Sequence, residues 1–395
     1  MILSRADVIV VGLGAVGAAA AYQLSKRGAR VLGLDRYRPP HDRGSSHGET
    51  RITRQGVGEG EAYAPMAIRS HEIWRELEAA TGRRLLLTCG LLVLGAEHGR
   101  SPSPRHGKSD FVRRSAATAA RFGVPHELIA ADEVARRYPQ FGLVGDELGY
   151  FEPGGGLIYP EACIGAQLEA AARLGAALAY DEPALEIDAT PHGVRVRTGA
   201  AIHEAGEALL CAGAWTPGLA GAPLRRLVLQ PQALHWFEAE TPADYAPDRF
   251  PAFIWMHGDG ADELFYGFPI APDAPTRAVK AATEAFDEIS EPAALNRTPD
   301  PGLAQGFYDR HVRSRLRGVG ASVVRSAACL YTHAPDADFV IGADPRSGRI
   351  LIASACSGHG FKHSAAVGEL LARMLLEGAA PPAPFRLDRG AMQTG

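Results

Sequence analysis

Cysteine is scarce in this chain: five residues in 395, at Cys89, Cys163, Cys211, Cys329 and Cys356, widely scattered and odd in number. None stands in a CxxC pair, so zinc-site spacing is missing and no metal is expected; most read as buried thiols. An excess of either charge is lacking too. The 41 basic and 45 acidic residues give a formal net charge of −4. The arginines are dispersed, which offers no basic field to nucleic acid or to an anionic membrane. Unbroken apolar runs are also missing near the start. The stretch over 8–21 follows Asp7 and is interrupted by Gly12, Gly14 and Gly17, with no cleavage-like segment before the next strand, so it does not read as a signal peptide. These absences predict a soluble cytoplasmic protein. At 395 residues the chain exceeds what one core usually serves, and two domains are expected.

What is present is clearest at the beginning. Val8-Ile9-Val10-Val11 runs into Gly12-Leu13-Gly14-Ala15-Val16-Gly17, an alanine-rich helix, a second apolar strand and Asp35. That order predicts a βαβ dinucleotide cradle. Gly12 permits the tight turn, Gly14 lets backbone approach a pyrophosphate, Gly17 lets helix pack on strand, and Asp35 sits where a carboxylate holds ribose hydroxyls. The motif alone leaves NAD and FAD open.

Residues 36–48 are rich in proline, glycine and polar side chains and read as a long functional loop. A helix is expected over 64–81, a strand over 85–94, an exposed and disordered loop over 96–109, and helices near 110–122 and 161–174. Strand-like runs follow at 178–187, 194–196 and 208–215. Alternating segments over 225–285 predict antiparallel strands. Near the end, a strand over 349–355, a glycine loop over 356–362 and a helix over 364–376 repeat the opening pattern. A chain that leaves its nucleotide layer, builds a second sheet and returns is unlike a simple NAD dehydrogenase and like a flavoprotein.

Four segments carry a more specific resemblance: the glycine fingerprint at 12–17; Pro39-Pro40-His41 through Gly48-Glu49-Thr50-Arg51-Ile52-Thr53-Arg54 to Gly58-Glu59-Gly60; Ala327-Ala328-Cys329-Leu330-Tyr331-Thr332; and Ser357-Gly358-His359-Gly360-Phe361-Lys362. With them the chain resembles the monomeric sarcosine oxidase and N-methyltryptophan oxidase family of FAD-dependent amine oxidases. The resemblance implies an α/β fold with an α+β second domain. A Rossmann-type FAD-binding domain of the glutathione-reductase or p-hydroxybenzoate-hydroxylase kind would take residues 1–86, 151–220 and 325–390, and an antiparallel-sheet substrate domain would take 87–150 and 221–324.

On residue type alone Cys329 is an inert core thiol, Arg51 and Arg54 are solvated arginines, and Lys280 is a snorkelling lysine. The resemblance implies other roles. Cys329 would be joined through sulfur to the 8α-methyl carbon of FAD. Arg51 would lie against the flavin, and Arg54 with Lys362 would bind the substrate carboxylate. The three-residue spacing of Arg51 and Arg54 would put both on one helical turn or loop face. Lys280 would stand beside flavin N5 and stabilise superoxide as reduced flavin passes an electron to oxygen. Tyr266 and Tyr331 would border the substrate, while Gly358, His359 and Gly360 would serve the flavin through backbone at a helix N-terminus.

Two positions depart from the family. Val57 replaces a tyrosine, which would change pocket size, and Glu284 replaces a histidine, where an acid could welcome a cationic substrate group or could simply be exposed. The activity implied is FAD-dependent oxidation of a secondary, N-methyl L-amino acid by oxygen, in a monomer, giving an aldehyde, the demethylated amino acid and hydrogen peroxide. A cyclic imino acid oxidase, a flavin dehydrogenase and a non-catalytic flavin-binding sensor or assembly subunit are the alternatives.

Overall fold

The computed structural model describes residues 2–97, 110–258, 260 and 262–393. The loop expected over 96–109 lies, from residue 98 onward, outside the described residues.

Residues 8–11 and Val31–Leu34 have no polar side chain and are buried throughout. Strands of that kind belong inside a parallel sheet covered on both faces. Ile2–Val11 takes the central place, with Val31–Leu34 on one side and Ile202–Leu210 on the other, both parallel to it. Ala177–Ala179 and Ser347–Ser354 extend the parallel order outward. Val340–Asp344 on one edge, and a meander of Ala184–Thr190 and Gly193–Thr198 on Ile202–Leu210, complete eight strands. Helix Ala15–Lys26 leaves directly from the first strand, and its Ala18, Ala19, Ala20 and Ala21 are fully buried. Such small side chains allow a close crossing with Ser364–Glu377: a Cβ on Gly368 would come 2.4 Å from the Cβ of Ala19. The last long helix therefore packs on the first.

A second eight-stranded sheet runs in the order Val319–His333, Val228–Ala239, Val279–Ala282, Leu264–Phe268, Ala252–Met256, Leu91–Ala96, Glu147–Glu152, Glu127–Ala130. Its core is aromatic, with Phe141, Phe250, Phe253, Trp255 and Phe265 buried together. The expectation of antiparallel pairing needs one correction, because Ala252–Met256 lies parallel to Leu91–Ala96. These two strands come from distant parts of the chain, so no hairpin fixes their relative direction.

The strand expected over 85–94 is in fact two, Leu86–Thr88 and Leu91–Ala96, in different sheets. Gly90, at φ +78°, turns the chain between them. Leu86–Thr88 joins Gly156–Ile158 and Arg51–Thr53 in a small three-stranded sheet. The run over 178–187 is likewise divided, at Asp181, whose φ is +58°. The boundary expected at residue 325 falls inside the unbroken strand Val319–His333. No helix among the described residues is long and apolar enough to cross a membrane.

Candidate active site

Gly12 has φ +92°, and a Cβ there would lie 2.6 Å from Ala212 Cα. A Cβ on Gly17 would lie 1.7 Å from the Gly12 carbonyl oxygen. Gly14 is different. Its Cβ would meet nothing nearer than Ser46 Oγ at 3.8 Å, and it stands at the head of helix Ala15–Lys26, which has no side-chain cap. Open space over uncapped N–H groups is the setting a pyrophosphate needs. Asp35 accepts from the backbone N–H groups of Leu13 at 2.7 Å and Tyr37 at 2.9 Å, and its remaining lone pairs suit ribose hydroxyls. These atoms fit a dinucleotide. The cavity lined by Gly12, Gly14 and Asp35 is also lined by Arg51, Arg54, Tyr266, Tyr331 and Lys362.

Arg51 ties the middle of the site together. It opens the short strand Arg51–Thr53, and its Nη2 donates to Ser45 O at 2.9 Å and lies 3.6 Å from Cys329 Sγ. Cys329 Sγ itself points to Ser45 O at 3.4 Å. Burial works against the Arg51 charge, but Cys329, Tyr266 and Tyr331 raise its pKa above the ordinary arginine value. Lys280 is held in the same knot: Nζ donates to Gly48 O at 2.6 Å, Thr50 O at 2.8 Å and Thr50 Oγ1 at 3.3 Å. It also lies 4.7 Å from the centre of the Phe268 ring and 5.3 Å from that of Trp236. Burial, then Arg51, pushes its pKa well below the usual lysine value. Three oxygen acceptors nevertheless match the three donors of an ammonium. Lys280 and Cys329 are both reached through segment 45–51, of which Ser45, Ser46 and Arg51 face the cavity.

Arg54 lines the same cavity as Arg51 but has different partners. Arg51 opens a strand that pairs with Gly156–Ile158 rather than a helical turn, and Arg54 follows that strand, outside its pairing. Arg54 turns instead to Glu59: Nη2 donates to both carboxylate oxygens, at 2.7 and 2.8 Å, and Nη1 to Gly56 O at 3.1 Å. Lys362 reaches the same carboxylate, with Nζ 3.1 Å from Glu59 Oε1 and 3.0 Å from His359 O. All three side chains are buried. Burial lowers the Lys362 pKa to about 8, with Arg54 acting in the same direction and Glu59 against it.

The hydroxyls of Tyr266 and Tyr331 are 3.4 Å apart. Burial pushes Tyr266 up to about 12 and Tyr331 well above the usual tyrosine value, and the Glu284 charge adds to both. Glu284 lines the cavity, so it is not the exposed residue that the sequence left open. Val57 is fully buried in the hydrophobic core that also includes Tyr63 and Phe339, and is not part of the cavity lining. The departure at 57 therefore alters core packing rather than pocket size. Gly358, at φ +80°, and Gly360, whose Cβ would lie 1.8 Å from Ala355 O, shape a tight loop. His359 in that loop packs on Phe339 with ring centres 5.2 Å apart.

The profile of the FAD dependent oxidoreductase family matches residues 7–374. The chain belongs to that family. It is 36% identical over 377 residues to a monomeric sarcosine oxidase of Streptomyces avermitilis, with 94% of each chain covered. It is 32% identical over 370 residues to an N-methyl-L-tryptophan oxidase of Yersinia pestis, covering 93% of this chain and 94% of that one. Among solved structures it is similar to NikD, an unusual amino acid oxidase essential for nikkomycin biosynthesis, with a TM-score of 0.81 and 26% identity over 96% of both chains. It is thus an FAD-dependent oxidoreductase of the sarcosine oxidase group, acting on amine or amino acid CH–NH donors.

Reading the sequence of this oxidoreductase missed three residues of the site. Glu59 was visible only as an acid between two glycines five positions after Arg54. Glu161 heads helix Pro160–Arg173, and its Oε1 accepts from Gly48 N at 2.8 Å and Glu49 N at 3.1 Å, steadying the loop that holds Lys280. Ser364 lines the cavity at the start of Ser364–Glu377, and nothing in its local sequence signalled this.

Proposed function

We propose that this protein oxidises secondary, N-methyl L-amino acids with oxygen, releasing an aldehyde, the demethylated amino acid and hydrogen peroxide. The observation that carries the reading is the meeting of two buried cations, Arg54 and Lys362, on one carboxylate in the cavity that also holds the dinucleotide cradle. Glu59 supplies that carboxylate here, which supports the complementarity of the two cations to such a group. The substrate carboxylate would bind to the same pair, and the cavity side of Tyr266 and Tyr331 would receive its side chain and amine. Holding the amine as the neutral base makes a dedicated catalytic base unnecessary, and the carboxylate anchor fixes the reacting C–H in place. Accepting a hydride from the neutral amine and passing it, with one further proton, to oxygen as hydrogen peroxide is the chemistry that bound FAD would supply, and water would hydrolyse the iminium left behind to the aldehyde and the demethylated amino acid. Gly12, Gly14, Asp35, Gly358 and Gly360 would hold the cofactor, and Cys329 would carry it covalently.

On this reading residues 1–86, 151–220 and 325–390 serve the cofactor and residues 87–150 and 221–324 the substrate. Peroxide release with a panel of N-methyl L-amino acids, their methyl esters and the corresponding N-methyl amines tests it. Turnover confined to free acids, and lowered by about 2–5 kcal/mol of transition-state binding in Arg54→Ala, is the expected result. Equal turnover of acids and esters would end it.

A further inference from the structure

Among the described residues, Arg54, Lys362 and Glu59 form a buried group of two cations and one anion, with one positive charge in excess in a corner of the cavity. A lone excess charge taken out of water is costly unless something balances it. The balance required is one monoanion. Glu59 also leaves donors for it. It engages Arg54 through Nη2 only, and Arg54 Nε is buried without a hydrogen-bond partner among the described residues. On Lys362, Glu59 and His359 O account for two of the three ammonium donors.

We propose that Glu59 is the positioning residue of the carboxylate site: it holds Arg54 and Lys362 side by side, keeps Lys362 charged, and trims their summed charge so that the site takes one substrate carboxylate. This rests on the assignment of Arg54 and Lys362 to that carboxylate.

The backbone supports such a role. Upstream, the N–H groups of Gln55 and Gly56 are anchored on buried Glu152 at 2.8 and 2.9 Å. The Gly58 carbonyl accepts from Arg114 Nε at 3.1 Å, and a Cβ on Gly58 would come within 2.8 Å of the Phe111 ring. The turn bearing Glu59 is thus packed in place. Among the described residues, the charged and titratable neighbours of Lys362 are Glu59, Arg54, His359 and His363, with Tyr63 beyond. Of these Glu59 is the one that favours the ammonium; Arg54 opposes it, and the histidines do so when protonated. Replacing Glu59 by an uncharged side chain leaves burial and Arg54 unopposed.

The test is acetate binding to the holoenzyme, followed by flavin absorbance from pH 6 to 10, in wild type, Glu59→Gln, Glu59→Asp and Lys362→Met. In wild type the affinity should fall above about pH 8, and in Lys362→Met this fall should be absent. In Glu59→Gln it should begin about one pH unit lower or more, the scale on which an adjacent buried charge acts. Glu59→Asp, which draws the carboxylate back by one methylene, should move the fall the same way by less, and it serves alone if the glutamine variant does not fold. A fall that stays at the wild-type pH in the Glu59 variants overturns the proposal while leaving the two-cation site intact. A fall unaffected by Lys362→Met overturns that site and the proposal with it.

Discussion

Arg51 Nη2 lies 3.6 Å from Cys329 Sγ, and both turn to the carbonyl of Ser45. A cation beside a thiol favours the thiolate, which is the nucleophilic form.

Covalent FAD at Cys329 is the outcome expected of this arrangement. Yellow colour should stay with acid-precipitated protein, and intact mass should show one flavin adduct that Cys329→Ser abolishes. Arg51→Gln should slow attachment about tenfold or more by withdrawing the cation that lies 3.6 Å from the sulfur. An adduct on Cys356, or none on well-folded holoprotein, contradicts the assignment.

The pH dependence of kcat/KM should be bell-shaped. The rising limb belongs to the substrate, whose amine must lose its proton. The falling limb belongs to Lys362, with its pKa lowered to about 8: below that pH it is an ammonium that can bind carboxylate, and above it the cation is lost, about tenfold in affinity per unit at most. Lys362→Met should lower kcat/KM and remove the falling limb together. A limb that survives in this variant belongs to another group.

The sequence made some of this legible and not the rest, for physical reasons. Gly12 and Gly17 could be read because no other residue fits where backbone approaches within a carbon–carbon contact, and the helix Ala64–Thr81 because its apolar spacing extends over several turns. The Arg51–Arg54 segment was too short to reveal its period: Arg51–Thr53 is a strand rather than a helical turn, although both arginines line the one cavity. Glu59 and Lys362 meet only after the chain has crossed both sheets. No local pattern encodes that meeting, and the same is true of Glu161 beneath Gly48.

Glu284 should influence which side chain is accepted. It follows strand Val279–Ala282 in a segment pinned by Thr283 Oγ1 to Leu264 O at 2.5 Å and by Gln232, whose amide bonds Ala285 O at 2.8 Å and Ala285 N at 2.9 Å. A carboxylate fixed on the cavity wall favours a distal cation. Glu284→Gln should therefore reduce kcat/KM for N-methyl-L-lysine about tenfold relative to N-methyl-L-norleucine, the scale of one partly screened ion pair. An unchanged ratio places the acid away from the substrate side chain.

Lys280 should separate the two half-reactions. Its three bonds run to Gly48 and Thr50 on the segment that also bears Arg51, and none runs to Arg54, Glu59 or Lys362. A cation so placed serves charge that develops on oxygen more than it serves carboxylate binding. Lys280→Met keeps the length and apolar packing against Trp236 and Phe268 while removing the charge. Anaerobic flavin reduction by substrate should stay within about one order of magnitude of wild type, and reoxidation by oxygen should fall by about two orders or more, the loss expected for one preorganised charge. If reduction collapses while reoxidation is untouched, Lys280 acts on the substrate, and the division of labour between it and the Arg54–Lys362 pair must be reversed.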